Sequence, residues 1–220
     1  MTHSATTTKS DRQPLDRYDS PEWMPDVLFY ELPGFPSDTT FLECCKGGGS
    51  ISKTILEHGY EVITADIDPS AEPDFVLDMT KPDSWDALPH FDYVITNPPF
   101  CDADAIVGMA IPRAKGVMML LRKTWDEPTV IRYELLEKHP WTNKICLPRY
   151  KFARSKDPST GLRTGNWQTD STPIDWFMWM PSMGIPTMSV YSEDKINKFS
   201  RYTANPDREG DLQAALRYRT

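Results

Sequence analysis

The feature that most constrains this chain is the alternation of short apolar runs with helix-like stretches along its central part. Apolar runs predict strands over 39–44, 61–66, 75–78, 91–96, 116–121 and 144–147. Between them, the sequence predicts helices over 51–58, 102–111 and 128–138, the first of them capped by Ser50. Strands that alternate with helices build mostly parallel sheets that are covered on both faces. We therefore predict a three-layer α/β fold.

Two later strands are predicted over 174–180 and 187–191, and the Pro/Gly turn between them favours an antiparallel orientation. Trp176 and Trp179 lie three positions apart in the first of them. Because side chains alternate along a strand, we expect these two residues on opposite faces, as core residues.

The length of 220 residues suits one domain with appendages. Residues 1–17 are polar and rich in Ser and Thr, which predicts a loose tail, and the mixed-charge residues 193–220 predict a C-terminal extension. The main domain is therefore expected to span 18–192. No run approaches the roughly 18 apolar residues of a membrane span, and the first residues lack the apolar core of a secretory signal. We expect a cytoplasmic protein without a membrane partner.

The four cysteines show no paired spacing of the kind found in metal sites. In the absence of an export signal, we expect reduced thiols and no bound metal.

Three carboxylates follow predicted strands. Glu43 ends the first strand and precedes a turn that contains Gly47 and Gly49, Asp66 ends the second, and Asp78 ends the third. Glycines permit a close backbone approach to a ligand, and a carboxylate at the second strand end can accept both hydroxyls of a ribose. Acids in these places suit an ammonium, a ribose and an adenine without phosphate, which describes S-adenosylmethionine (AdoMet). The alternative is ordinary turn chemistry with solvated acids.

A second motif, Asn97-Pro98-Pro99-Phe100, directly follows the fourth predicted strand. The two prolines fix the backbone and leave carbonyl groups able to accept hydrogen bonds. The Asn97 amide oxygen and the Pro98 carbonyl can accept both hydrogens of a planar amino group, while a ring stacks on Phe100. The alternative is a structural loop with a buried Phe.

Charge is distributed unevenly along the chain. The formal net charge is −8, which excludes a uniformly basic nucleic-acid binder. Residues 141–168 nevertheless carry six basic residues and one acid, and a long polar loop is predicted over 148–173. This basic loop interleaves cations with aromatic residues, which favours nucleic-acid contact over the alternative of a solvated loop. Its candidate substrate-binding residues are Arg149, Lys151, Arg154, Lys156, Arg163 and Trp167.

Taken together, these motifs resemble the AdoMet-dependent amino-group methyltransferases, specifically the adenine-N6 type with an Asn-Pro-Pro-aromatic motif. The resemblance covers about residues 18–192. Residues 41–49 match the family's cofactor motif, except that Cys44 stands where proline is common, and 65–69 match the ribose-binding motif. The segment 18–21 resembles the one that helps to close over the methionine end of the cofactor.

The resemblance implies a Rossmann-like fold with a mostly parallel, seven-stranded sheet and one antiparallel strand. It implies that AdoMet is bound by Ser20, Pro21, Glu43, Gly47, Gly49, Asp66, Ile67 and Asp78. It also implies a catalytic motif made of Asn97, Pro98, Pro99 and Phe100.

The expected activity is transfer of a methyl group from AdoMet to the N6 amino group of adenine in DNA, with the base flipped onto Phe100. The small size suits a stand-alone enzyme of the kind found in phages or mobile elements. Three alternatives remain open. They are the same chemistry on RNA adenine or guanine, the same chemistry on a protein glutamine, and a non-catalytic nucleic-acid-binding module with the same fold.

Overall fold

The computed structural model describes residues 20–32, 34–127, 129–148, 173–180 and 188–190. The predicted tail 1–17 and the predicted extension 193–220 lie outside the described residues. Most of the basic loop, 149–172, also lies outside them. The predicted boundaries of the main domain therefore remain predictions.

The described residues form one sheet and a set of short helices. The strands are β1 (Thr40–Glu43), β2 (Glu61–Asp66), β3 (Phe75–Val76), β4 (Tyr93–Thr96), β5 (Gly116–Arg122), β6 (Asn143–Cys146), β7 (Ile174–Trp179) and β8 (Met188–Val190). The α-helices are α1 (Trp23–Glu31), α2 (Ser50–Glu57), α3 (Pro82–Asp86), α4 (Ala103–Ala110) and α5 (Val130–Lys138). Two short 3-10 helices occupy Pro69–Ala71 and Ile111–Arg113.

The strand order across the sheet is β3-β2-β1-β4-β5-β7-β6-β8. Strand β7 runs antiparallel to both of its neighbours, and the other neighbouring pairs are parallel. Strands β1 to β7 confirm the predicted mostly parallel sheet with one antiparallel strand, and β8 adds an eighth strand to the predicted seven.

Strands β7 and β8 run in opposite directions, as predicted, because β6 is antiparallel to β7 and parallel to β8, but β7 and β8 are not paired with each other. Both edges of β7 are hydrogen-bonded, one to β5 and the other to β6, so no edge of β7 remains for β8. Strand β8 instead pairs with β6 in parallel, with Ile145 opposite Ser189.

Side chains on the two faces of the sheet form two separate core clusters. One face, covered by α1 and α2, buries Phe41, Ile95, Met118, Leu120 and Trp176. The opposite face, covered by α4 and α5, buries Leu42, Val94, Val117, Met119 and Phe177. This alternation along each strand places the sheet between two helical layers and confirms the three-layer prediction.

The two tryptophans of β7 lie in different core clusters, as predicted. Trp176 belongs to the cluster under α1, and its indole N–H donates to the Met24 carbonyl at 2.9 Å. Trp179 belongs to the opposite cluster and donates to the His139 carbonyl at 2.8 Å. Both indoles therefore bury their rings without leaving the N–H group unpaired.

Strand β1 marks the point where the chain changes direction across the sheet. The connection from β1 leads to β2 on one side, whereas β4 and β5 lie on the other side. In open α/β sheets, a crevice forms at the carboxyl ends of the strands at such a switch point. The residues that follow β1, β2 and β4 therefore meet at one edge.

No helix in the described part of the chain combines the length and apolarity needed to cross a membrane.

Candidate active site

A cleft lies at the carboxyl edge of the sheet, at the switch point beside β1. It spans about 910 Å³, including its open mouth. It brings together the turn after β1, the residues after β2 and β3, and the motif after β4. The predicted site residues that line it are Ser20, Glu43, Gly47, Asp66, Ile67, Asp78, Asn97, Pro98, Pro99 and Phe100.

Two predicted cofactor residues, Pro21 and Gly49, do not belong to the lining. The Pro21 carbonyl accepts a hydrogen bond from the Met24 N–H at 3.0 Å, so this residue begins the turn into α1. Gly49 is the N-cap residue of α2. Both residues shape the backbone next to the cleft and do not face it.

Glu43 is buried at the end of β1, with 1% of its surface exposed. Its Oε2 atom accepts a hydrogen bond from the Ser52 N–H at 2.8 Å, so the carboxyl group caps the first turn of α2. The predicted Ser50 cap is wrong, because Ser50 is already helical and Glu43 takes this role across the turn. Burial raises the pKa of Glu43 to about 8, although the Ser52 hydrogen bonds and Lys46 act in the opposite direction.

The glycine turn is held against β2 by Asp66. The Oδ2 atom of Asp66 accepts the Gly47 N–H at 2.8 Å, and its Oδ1 atom accepts the Asp68 N–H at 2.8 Å. Each carboxylate oxygen has a second lone pair, so Asp66 retains acceptor capacity toward the cleft. Asp66 therefore fixes the turn in addition to its predicted role toward a ribose.

Gly49 has a φ of +74°, in the left-handed region that favours glycine. An alanine Cβ there would meet Ser52 Oγ at 3.4 Å and Lys46 Cε at 3.5 Å, so the cost is mainly backbone strain. We expect Gly49→Ala to lower the free energy of unfolding by about 1 kcal/mol. Gly108→Ala is the matched control. It lies inside α4 with its nearest neighbour atom at 3.9 Å, and should be neutral or stabilising. Urea denaturation measures both, and equal effects would contradict the prediction.

Asp78 lies two residues beyond the end of β3, since the strand is shorter than predicted. Its Oδ1 atom accepts hydrogen bonds from the Thr80 hydroxyl at 2.6 Å and the Thr80 N–H at 3.0 Å. These bonds lower the pKa of Asp78, with Lys81 adding to the effect, so the group is an acceptor at neutral pH. Ile67, the residue after Asp66, also lines the cleft, and 52% of its surface is exposed.

The Asn-Pro-Pro-Phe motif follows β4 and forms the wall beside the carboxylates. The Nδ2 group of Asn97 donates to the Ser20 Oγ atom at 3.0 Å, and Ser20 is buried. This bond orients the amide group, whose other polar atom, Oδ1, is a hydrogen-bond acceptor. Phe100 is partly buried against the core cluster under α1. The structure thus brings the four predicted catalytic residues and six of the eight predicted cofactor residues into one cleft.

Arg122, a residue that our sequence analysis missed, lies at the end of β5. Its guanidinium carbon is 4.7 Å from the centre of the Phe100 ring. Glu43 and Asp66 were predicted because each is a polar residue at the end of a buried strand, and Arg122 has the same position in β5. Thr80, the partner of Asp78, was missed as well, because nothing in the sequence shows that pairing.

The six predicted substrate-binding residues of the basic loop lie outside the described residues, so their role stays a prediction. The described residues on either side of that loop are close together. The Leu147 N–H donates to Asp175 Oδ1 at 2.9 Å, and the Lys123 N–H donates to the Pro173 carbonyl at 2.8 Å. The chain therefore leaves and re-enters the sheet beside the end of β5, next to Arg122.

All four cysteines are free thiols. Cys44 is fully buried in the core cluster under α4, and Cys45 packs against the same cluster. A hydrogen bond with Cys44, together with burial, raises the pKa of the Cys45 thiol. This pair therefore packs the turn beside Glu43.

Neither the protein-family models nor the curated proteins contain a match to this sequence. Among solved structures, the chain is similar to a provisionally named RNA methyltransferase of Pyrococcus horikoshii. The TM-score is 0.51 and the identity 16%, over 77% of this chain and 93% of that one. A precorrin-6y C5,15-methyltransferase of Geobacter metallireducens gives a TM-score of 0.49 and 14% identity, over 79% and 96%. An rRNA methyltransferase of Streptomyces viridochromogenes gives 0.46 and 11%, over 73% and 84%.

At 16% identity, the first of these likenesses bears on the fold alone. Together with the strand order and the single antiparallel strand, it shows that the chain has the three-layer, Rossmann-like fold of methyltransferases. This result confirms the predicted fold class.

Proposed function

We propose that this protein is an AdoMet-dependent N-methyltransferase that methylates the N6 amino group of adenine in a nucleic acid. The resemblance to adenine-N6 methyltransferases favours DNA as the substrate. The observation that carries the proposal is the composition of one cleft. Carboxylates at the ends of β1 and β2 and after β3 face the Asn97–Phe100 motif across the switch point of the sheet.

The chemistry of the cleft lining fits AdoMet. Glu43 would hold the methionine part, whose ammonium would favour the ionised form of the carboxyl group. Asp66 is an acceptor suited to ribose hydroxyls, and Asp78, whose pKa is lowered, is an acceptor suited to the adenine amino group. Lys46 also belongs to the lining, and its ammonium group donates to the Glu72 carbonyl. The lining therefore offers acceptors to a positively charged, phosphate-free ligand.

When bound, AdoMet would supply the methyl group from its positively charged sulfur. The residues of the chain then have to hold the acceptor nitrogen, whose lone pair is delocalised into the base. The Asn97 Oδ1 atom and the Pro98 carbonyl accept the two N–H groups, which favours a tetrahedral nitrogen and offsets positive charge as it develops. On methyl transfer, the nitrogen–carbon bond would form as the sulfur–carbon bond breaks, and the nitrogen would then lose one proton to water. No covalent enzyme intermediate is needed.

RNA is the second candidate substrate. The solved structure with a TM-score of 0.51 carries a provisional name as an RNA methyltransferase, although its likeness bears on the fold. The same acceptor geometry also suits an amide nitrogen of glutamine. The cleft alone does not distinguish these planar nitrogen groups, so the substrate is a matter for direct assay.

The test offers the full-length protein and labelled AdoMet to DNA, to RNA of the same sequence and to a glutamine-containing peptide. We expect label in DNA, and digestion to nucleosides followed by mass spectrometry should identify N6-methyladenine. Label in RNA alone would move the proposal to the second candidate. Label in peptide alone, or none in any substrate despite calorimetric binding of AdoMet, would overturn the nucleic-acid assignment.

A further inference from the structure

Arg122 covers part of the catalytic wall of the cleft. It is the last residue of β5, and its exposed side chain extends from the carboxyl edge of the sheet. The guanidinium carbon lies 4.7 Å from the centre of the Phe100 ring, within cation–π distance. The base proposed to stack on Phe100 would therefore lie beside a guanidinium group.

Arg122 differs from the nearby basic residues in its ion pairing. Lys123 lies 3.9 Å from Asp175, and Lys144 lies 3.1 Å from Asp126 and 3.8 Å from Asp175. Among the residues that the structure describes, Arg122 makes no ion pair with a carboxylate. In a chain of net charge −8, a guanidinium without such a partner, beside a ring that lines the cleft, is suited to an external anion.

We propose that Arg122 binds a backbone phosphate next to the target nucleotide while its guanidinium stays within cation–π distance of Phe100. The inference rests on the proposed function and specifies how the nucleic acid is held. A guanidinium can stack on a ring and bind phosphate oxygens in the same plane, which an ammonium cannot do. A base stacked on Phe100 brings its own sugar and phosphate within reach of a long side chain rooted beside that ring. A glutamine peptide would supply no such anion.

The matched control is Arg113. It has the same side chain, but it lies in the 3-10 helix before β5, at the opposite edge of the sheet. Its guanidinium lies 3.5 Å from Asp86. Arg113→Gln therefore removes the same charge as Arg122→Gln far from the cleft.

The experiment measures binding of fluorescent single-stranded DNA and RNA by anisotropy over a series of KCl concentrations, with AdoMet binding measured by calorimetry. We expect Arg122→Gln to weaken nucleic-acid binding about tenfold, uniformly across sequences. The slope of log affinity against log salt should fall by about 0.7, the value for one phosphate contact on a single strand. Arg122→Lys should restore the slope with weaker binding, and AdoMet affinity should not change in any variant.

Two results would overturn the inference in distinguishable ways. If the wild type binds and methylates nucleic acid but Arg122→Gln keeps the salt slope of Arg113→Gln, Arg122 only supports Phe100. If the wild type binds AdoMet but no nucleic acid, the proposed function fails together with the inference.

Discussion

Asn97→Ala is expected to lower the methylation rate by about 10²- to 10³-fold or more while leaving AdoMet binding measurable, because it removes a preorganised hydrogen-bond acceptor at the reacting nitrogen. The Asn97 side chain is fixed by its bond to the buried Ser20 hydroxyl at 3.0 Å, and it belongs to the motif after β4 and not to the turns after β1, β2 and β3. Loss of the amide should therefore affect the acceptor site and not the cofactor site. Single-turnover methylation of the accepted substrate measures the rate, and calorimetry measures AdoMet affinity.

Ser20→Ala provides the graded comparison for this prediction. It keeps the Asn97 amide but removes the hydrogen bond that orients it, so we expect a smaller loss of about tenfold in rate. Equal losses in the two variants would mean that orientation and not the acceptor atom matters. If Asn97→Ala instead abolished AdoMet binding in a folded protein, Asn97 would be a structural residue and the proposed chemistry would be wrong.

The positions of the strands could be predicted because each is a short apolar run bounded by turn residues. The partners of the last two strands could not, because pairing depends on which edges remain open after β7 inserts between β5 and β6. Helix α1 was missed for a different reason. All residues from Trp23 to Leu28 are buried, so no polar stripe marks the helical period.

The candidate site was predictable as far as it follows from strand ends. In a parallel sheet, residues after neighbouring strands converge, which is why Glu43, Asp66 and Asn97 meet in one cleft. The interactions between these residues could not be predicted in the same way. The capping of α2 by Glu43 and the contact of Arg122 with Phe100 depend on side-chain reach in three dimensions.

Glu43→Gln is expected to make the protein more stable at high pH. The pKa of Glu43 is about 8 in the folded protein against an ordinary value of 4.5, because burial disfavours the charged form. Between these values the folded state retains a proton that the unfolded chain has lost, so wild-type stability falls as pH rises. At about 1.4 kcal/mol per pKa unit, the full shift sets a ceiling of roughly 5 kcal/mol.

Urea denaturation followed by tryptophan fluorescence should find the variant and the wild type similar at pH 4. The variant should be more stable by at least about 1 kcal/mol at pH 9. Glutamine retains an oxygen that can accept the Ser52 N–H, so the cap of α2 survives the substitution. Glu61→Gln removes an exposed carboxylate at the start of β2 and should change stability little at either pH. A pH-independent difference for Glu43→Gln would contradict the assigned cause.

The same substitution should weaken AdoMet binding, and this opposite effect separates a ligand residue from a structural one. If an ammonium binds beside Glu43, it favours the ionised carboxyl group, so binding near pH 7 has to release a proton. Calorimetry in two buffers of different ionisation enthalpy should detect that release in the wild type and find it reduced in Glu43→Gln. We expect affinity to fall about tenfold or more in the variant, since a charge-assisted contact becomes a neutral one. A buried carboxyl group that served only to cap α2 would give the gain in stability at pH 9 with no change in affinity or proton release. A gain in stability together with a loss of affinity would therefore mean that the carboxylate at the end of β1 contributes to AdoMet binding although it lowers the stability of the folded protein.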